Sequence, residues 1–240
     1  MITFFNIRGD VIFNSDKKTA AKALEEAVGK GINLEGINLR NANLQGANLQ
    51  GAQMPASDLK NANLEGANLT DADLSDSDLE NTKFNDAILD NANLRGTFLR
   101  STEFNNASMT KTDLAFLNNF NYEYDGFSCE FNGANMESSI MTGRHLYHSS
   151  FRGTNLKMAD MNRTYLDQVD LWWAILEGAS LVRAKLEKVD LRNANLVNAN
   201  LKNCMIIDTN MDNADKTGME TSPYYDLPSA IERLKRGFLK

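Results

Sequence analysis

The sequence predicts an all-β fold, a solenoid of stacked coils, from the spacing of its apolar residues. Large apolar residues occur every five positions without a gap from Leu34 to Leu114, and again from Phe131 to Met211. A small residue, most often Ala, Ser or Thr, precedes most of them by two positions. Tandem units of this kind bury their apolar faces against one another, so the repeat decides the architecture.

A period of five fits neither an amphipathic helix nor a continuous strand. A helix turns about 100° per residue, so this period drifts by about 140° per step and builds no apolar stripe. A strand places residues i and i+2 on one face, which suits Ala42 with Leu44 and Ala47 with Leu49 in the stretch NANLQGANLQ. Because five is an odd number, the chain must turn once per repeat. Each repeat is therefore predicted to be a three-residue strand followed by a two-residue corner.

The corner residues differ between the two series. Gly and Asn recur at corners of the first series, as at Gly36, Asn41 and Gly46, and both residue types tolerate the positive φ of a type II turn. Corners of the second series hold larger side chains, namely His148, Met158, Arg163, Gln168, Trp173, Arg183 and Lys188. Since positive φ strains such residues, the sequence predicts a different turn type there.

The tandem pattern A/S/T-[D/N]-L-x-x, over roughly residues 32–213, resembles the pentapeptide-repeat family. The resemblance implies a right-handed quadrilateral β-solenoid with four repeats per coil. At about 4.8 Å between stacked strands, the rod would be roughly 40 Å long. The stretch NLKMADMNRTYLDQVDLWWAILEGASL and the tail sequence Glu232-Arg233-Leu234 loosely resemble the quinolone-resistance members. The N-terminal helix and the position of the break depart from those members.

Five segments are expected along the chain. They are an N-terminal capping hairpin and helix at 1–31, a first solenoid half at 32–116, an aromatic break at 117–128, a second half at 129–213, and a C-terminal tail with a helix at 214–240.

The N-terminal segment is expected to cover the open end of the solenoid. Residues 2–13 have the pattern of a hairpin with Gly9 in its turn, and Asp16 or Thr19 can cap a helix that runs through Val28. The predicted inward residues of this helix are Ala20, Leu24, Ala27 and Val28, and Gly29 or Gly31 ends it.

The break interrupts the five-residue period. The step from Leu114 to Phe131 equals three repeats plus two residues or two repeats plus seven. Phe120, Tyr122 and Tyr124 lie in it, and they either plug a gap between the halves or project towards a partner, since aromatic residues are frequent interface anchors.

One charged residue falls at a small inward position. Arg144 would be buried there, so a local bulge or an error of register is expected.

The net charge of −7 is concentrated in one predicted coil. The carboxylates of this acidic belt are Asp71, Asp73, Asp76, Asp78, Glu80, Asp86 and Asp90, with Lys83 as the one cation. The belt would repel nucleic acid and attract a basic protein groove, or it is simply a solvated surface. Two apolar residues nearby, Ile88 and Phe98, are predicted to point outward and could form a contact point.

A second candidate surface lies in the second series. Arg152, Trp172 and Arg192 are 20 residues apart, so stacked coils would place the indole between two guanidiniums. With Trp173, Ile175, Tyr147 and Tyr165 they would form an exposed apolar patch, which serves either binding or lateral contact between coils.

The tail is expected to end in an amphipathic helix. Leu227, Ile231, Leu234 and Phe238 share one face, which either caps the last coil or swaps onto a second chain. Several family members dimerise through the C-terminal coil, so the resemblance allows a homodimer.

Little in the sequence favours catalysis. His145 and His148 are the one candidate metal pair and lack a third ligand, so we expect no metal and no cofactor. Cys129 and Cys204 occupy small inward positions on different faces and are expected to be buried thiols in a reducing compartment. A convex rod also offers no cleft in which to perturb a pKa.

Two functions remain open from the sequence. Some pentapeptide-repeat proteins resemble duplex DNA in width and charge, bind DNA gyrase and protect it from quinolones or peptide toxins. The resemblance therefore implies a non-enzymatic, DNA-mimicking interaction protein in the bacterial cytoplasm, with gyrase as the partner. The alternative is a structural or regulatory scaffold that binds an unrelated protein through the aromatic break or the Trp172 patch. No membrane contact is expected, because no apolar run approaches the roughly 18 residues of a span.

Overall fold

A computed structural model describes residues 1–116 and 126–222 of the chain. Their secondary structure, in chain order, is β1 Ile2–Phe5, β2 Val11–Ser15, α1 Ala20–Gly29, β3 Gly126–Phe127, β4 His145–Tyr147, β5 Tyr165–Asp167, β6 Lys185–Glu187, β7 Asn200–Leu201, β8 Met205–Ile207 and β9 Glu220–Thr221. Outside these elements, most of the backbone pairing consists of single parallel bridges that join residues of adjacent coils.

The coils repeat every 20 residues, with four repeats in each. Parallel bridges join residues 20 apart, such as Asn43 with Asn63 and Asn48 with Asn68. The buried central residues of one coil are Leu34, Leu39, Leu44 and Leu49, which define the first, second, third and fourth sides. The predicted inward register is therefore confirmed, and the bridges continue to Asp215, just past the predicted end of the second half.

Within the described residues, the predicted three-residue strands form only on the second side, after the break. There β3, β4, β5, β6 and β8 make a parallel sheet in which Leu146, Leu166 and Leu186 pair in register. On the other sides most repeats contribute one bridging residue, because the remaining residues of each repeat form the corners.

The N-terminal hairpin extends the second side. Ile7 N donates to Gly36 O at 2.7 Å, and Phe5 O accepts from Asn38 N at 2.8 Å, so the hairpin supplies partners to the first coil. Gly9, at φ +92°, lies in the turn as predicted.

The helix α1 begins after Thr19, which resolves the choice between two caps. The Oγ1 atom of Thr19 accepts from Lys22 N at 3.2 Å, which satisfies one of the free donors of the first turn. Leu24 and Ala27 are fully buried as predicted, and Ala23 is buried as well.

The break contains seven extra residues. Glu103 pairs with Glu130 and Ser108 with Asn135, 27 residues apart where regular coils have 20. Of the two readings of the spacing, two repeats plus seven is correct. Leu114 lies on the first side, and the next described strand, β3, lies on the second.

Arg144 is buried at its inward position, and the expectation of a bulge or a register error is wrong. Arg144 is 1% exposed, and the flanking register is regular, with His145 opposite Tyr165. Its Nε donates to Leu114 O at 2.9 Å, its Nη1 donates to Thr97 O at 2.7 Å, and its Cζ lies 5.0 Å from the centre of the Phe116 ring. The guanidinium is accommodated because backbone carbonyls and an aromatic face replace its water.

The prediction of a different turn type at the corners with large side chains is wrong for most of these corners. Met158, Arg163, Trp173 and Arg183 all have φ between 58° and 61°, within hydrogen-bonded turns like those of the first half. Only the corners that follow the strands of the second side change. There His148, Gln168 and Lys188 form a bend, and their φ is still positive.

A column of stacked phenylalanines lines the inside of the third side. The rings of Phe84 and Phe104 are 5.0 Å apart with an interplanar angle of 3°, as the 20-residue spacing predicts. Phe131 and Phe151 continue the stack at centroid separations of 5.0 and 4.5 Å. The column runs through the break without interruption, so both halves share one core.

Candidate interaction surfaces

The acidic belt surrounds the rod instead of marking one side. Asp71, Asp76 and Asp86 are exposed at three different corners, and the other four carboxylates are half-buried along the strands. Each side, together with the corners that flank it, therefore presents at most three of them.

Hydrogen bonds hold several belt carboxylates without neutralising them. Asp73 Oδ1 accepts from Asn93 Nδ2 at 3.0 Å, and Asp90 Oδ1 accepts from Ser108 Oγ at 2.7 Å. Glu80 forms an ion pair with Lys60, as the 20-residue spacing predicts. Neutral donors preserve the negative charge, so most of the belt remains anionic.

The two outward apolar residues near the belt do not form one contact point. Ile88 and Phe98 are 42% and 49% exposed, which confirms their orientation. Ile88 lies on the fourth side, however, and Phe98 on the second, on opposite faces of the coil. Phe98 instead contacts Phe116 edge to face, with centroids 6.1 Å apart.

The Trp172 patch is smaller than predicted and forms an edge between the third and fourth sides. Trp172, Trp173 and Ile175 are 39%, 58% and 39% exposed. The Cζ of Arg152 lies 5.8 Å from the centre of the Trp172 ring, which supplies one half of the predicted ladder.

The other half of the ladder is replaced by an ion pair. Arg192 binds Asp190 through Nε and Nη2, at 2.9 and 2.6 Å. This contact lowers the pKa of the Asp190 carboxyl and raises that of the Arg192 guanidinium.

Tyr147 and Tyr165 belong to a separate cluster on the second side. Their rings meet edge to face at 5.4 Å, and His145 contacts Tyr165 in the same way at 5.5 Å. Lys185 Nζ is 3.0 Å from Tyr165 Oη and 2.7 Å from Glu187, and these contacts raise the pKa of Lys185. The sequence interpretation missed this cluster, although the 20-residue spacing of Tyr165 and Lys185 signals it.

The aromatic residues of the break lie mostly outside the described residues. Phe120, Tyr122 and Tyr124 fall in 117–125, so the choice between plug and projection stays a prediction. Phe116, just before them, is buried against Phe98 and Arg144. The predicted C-terminal helix also lies outside the described residues.

The residues with catalytic or ligand-binding potential are placed as follows. No group of three metal-ligating side chains occurs within residues 1–116 and 126–222. Burial lowers the pKa of His145. Cys129 and Cys204 are buried and form no disulfide, and burial raises the pKa of Cys204 to about 12, so Cys204 is not an activated nucleophile. The helix in the described part of the chain is too short to cross a membrane.

The geometry defines a class of protein, a parallel β-solenoid whose exposed surface presents charged and aromatic groups. The pentapeptide-repeat family profile matches in eight copies, over residues 30–61, 56–86, 87–118, 129–168, 145–182, 164–203 and 184–215. The chain therefore belongs to the pentapeptide-repeat family.

The chain is similar to several solved structures. A trypsin-treated form of QnrB1, a plasmid-mediated fluoroquinolone resistance protein, is 18% identical with a TM-score of 0.63, over 82% of this chain and 95% of that one. HetL, involved in heterocyst differentiation regulation in the cyanobacterium Nostoc sp. strain PCC 7120, is 26% identical with a TM-score of 0.49, over 78% of each chain. Comparison with curated proteins gave no significant match. At these identities the likeness to QnrB1 is one of fold.

Proposed function

We propose that this protein is a non-enzymatic interaction protein, an acidic rod that binds DNA gyrase or a related topoisomerase in place of DNA. The observation that carries the proposal is the acidic belt at 71–90, whose carboxylates all point outward and largely keep their charge. Partners that bind DNA present basic grooves, to which such a belt is complementary.

Only one coil of the rod, the acidic belt, has a charge density high enough to resemble that of DNA. Duplex DNA carries about one charge per 1.7 Å, hence about 24 over roughly 40 Å, whereas the whole chain has −7. Within one coil height of about 4.8 Å, DNA carries about three charges. The belt has seven carboxylates and one lysine in that height. It is therefore the part of the rod that matches DNA.

The distribution of the belt also constrains the partner. Because no side presents more than three of the seven carboxylates, a flat basic surface would meet less than half of the charge. A groove or clamp that surrounds the rod would meet all of it. The proposal therefore favours an enclosing DNA-binding site.

A supercoiling assay tests the proposal. Purified protein in micromolar excess should slow DNA gyrase or rescue it from a fluoroquinolone. The triple variant Asp71→Asn, Asp76→Asn and Asp86→Asn should lose the effect, because it removes the exposed charges. Asn already occupies equivalent left-handed corners at Asn61 and Asn81, so the fold should be retained.

A matched control removes the same charge far from the belt. The variant Asp208→Asn, Asp212→Asn and Glu220→Gln should behave like the native protein. Equal loss in both triples would indicate a general charge effect. No change in gyrase activity and no detectable gyrase complex would rule the proposal out.

A second candidate function, a scaffold for an unrelated protein, is supported by the exposed edge at Trp172 and Trp173. The tests are Trp172→Ser with Trp173→Ser, and separately Phe120→Ser, Tyr122→Ser and Tyr124→Ser. A scaffold should lose a native binding partner in one of these variants. Unchanged pull-downs from native lysate, with the fold intact, would contradict it.

A further inference from the structure

The second side of the rod after the break differs from every other side in three respects. It carries the three-residue strands β4, β5, β6 and β8, which form one parallel sheet with β3. Its outward residues include His145, Tyr147 and Tyr165, where the first half mostly presents polar or charged residues. Its charge is also reversed relative to the chain.

The charge reversal is local. In residues 163–168 and 183–188 the cations are Arg163, Arg183, Lys185 and Lys188, and the carboxylates are Asp167 and Glu187. This surface thus has an excess of two positive charges, in a chain whose net charge is −7.

The two arginines are exposed members of this cationic excess. Arg163 and Arg183 occupy equivalent corners of adjacent coils, about 4.8 Å apart along the rod, and both are exposed. Neither takes part in an ion pair with the described residues, whereas Lys185 is bound to Glu187. Two stacked guanidiniums without a carboxylate partner can bind an external anion.

Backbone strain at these corners supports a role beyond the fold. Arg163 and Arg183 have φ of 58° and 61°, a region that favours Gly and Asn. Asn203 occupies the next corner of the same column, which shows that a less strained residue fits. A strained residue that could be replaced without loss of fold is a candidate for function.

We propose that this surface is a docking site for an acidic peptide segment of another protein. Arg163 and Arg183 bind its carboxylates, and Tyr147 and Tyr165 contact its apolar side chains. A peptide fits better than a nucleic acid, because two unpaired arginines can pair with a few carboxylates but are too few to follow a phosphate backbone. The site is independent of the acidic belt and of the proposed function.

Fluorescence anisotropy with labelled decaglutamate tests the proposal. Decaglutamate should bind the full chain at low salt and weaken as salt is raised. Arg163→Asn and Arg183→Asn should each raise the Kd several-fold, and together about tenfold or more. Their urea midpoints should be no lower than that of the native protein, because Asn suits the left-handed corner.

The matched control is Lys111→Asn, which removes one exposed cation from a corner at φ 58° in the first half. It should leave decaglutamate binding unchanged. An equal loss of decaglutamate binding in this control would show that the effect depends only on overall charge, and it would overturn the proposed site. Absence of decaglutamate binding at low salt would also overturn it, as would tighter binding of oligothymidylate that depends on Arg163.

Discussion

The Nη1 atom of Arg144 donates a 2.7 Å hydrogen bond to the carbonyl oxygen of Thr97, two coils away along the rod. In regular coils the carbonyl of the small residue accepts from the next coil, as Ser57 O does from Asp78 N at 2.9 Å. The Arg144 side chain thus reaches across the level of the insertion to a carbonyl at the end of the first half. Its second bond, to Leu114 O, joins the same two halves.

Arg144→Ala should therefore lower the free energy of unfolding by about 3–5 kcal/mol, because it leaves buried carbonyls without their charged donor and opens a cavity. Urea unfolding followed by circular dichroism measures the change. Arg152→Ala, which removes an exposed arginine, is the control and should cost less than about 1 kcal/mol. Equal effects would mean that the buried contacts contribute little.

The phenylalanine column should carry much of the stability across the break. Phe131→Ala removes a ring that stacks on both Phe104 and Phe151, so we expect a loss of about 3–5 kcal/mol. Phe131→Leu, which introduces the residue of the other columns, should cost about 1–2 kcal/mol. The urea midpoints of the two variants test this order, and a leucine variant as unstable as the alanine variant would contradict it.

Replacing Met by Asn at a left-handed corner, and Asn by Met at another, should change the stability of the fold in opposite directions. Met158→Asn relieves a strained corner at φ 58° and should raise stability by about 0.5–1 kcal/mol. Asn193→Met, at a corner with the same φ, should lower stability by a similar amount. Thermal unfolding of the pair measures both effects, and changes of the same sign would show that side-chain contacts outweigh backbone strain.

The free energy of unfolding should fall in mild acid, partly because His145 is half-buried in the folded state. Burial lowers the pKa of His145 in the folded state, so the unfolded state binds the proton more readily. The contribution of this residue is complete above about pH 6.5 and is lost as pH falls towards the lower folded pKa. His145→Phe should reduce the loss of stability between pH 7 and pH 5, as measured by urea titration at each pH. An unchanged slope would show that other groups account for it.

The sequence alone determined the solenoid, because a five-residue period leaves one way to bury two residues in five. With the four repeats per coil that the family resemblance implies, a 20-residue spacing becomes contact, as between Phe84 and Phe104 and between Lys60 and Glu80. Those relationships depend on the repeat, which is visible in the sequence, and on the four-sided coil, which the family resemblance implies.

Only the tertiary structure decided what happens where the repeat is broken. Arg144 could be buried because Thr97 and Leu114, distant in sequence, present their carbonyls to it. The corners at Met158 and Arg163 kept positive φ because neighbouring coils impose the turn and outweigh local preference. Side-chain properties predict local conformation, but hydrogen bonds to adjacent coils fix it, and those bonds exist only in the folded rod.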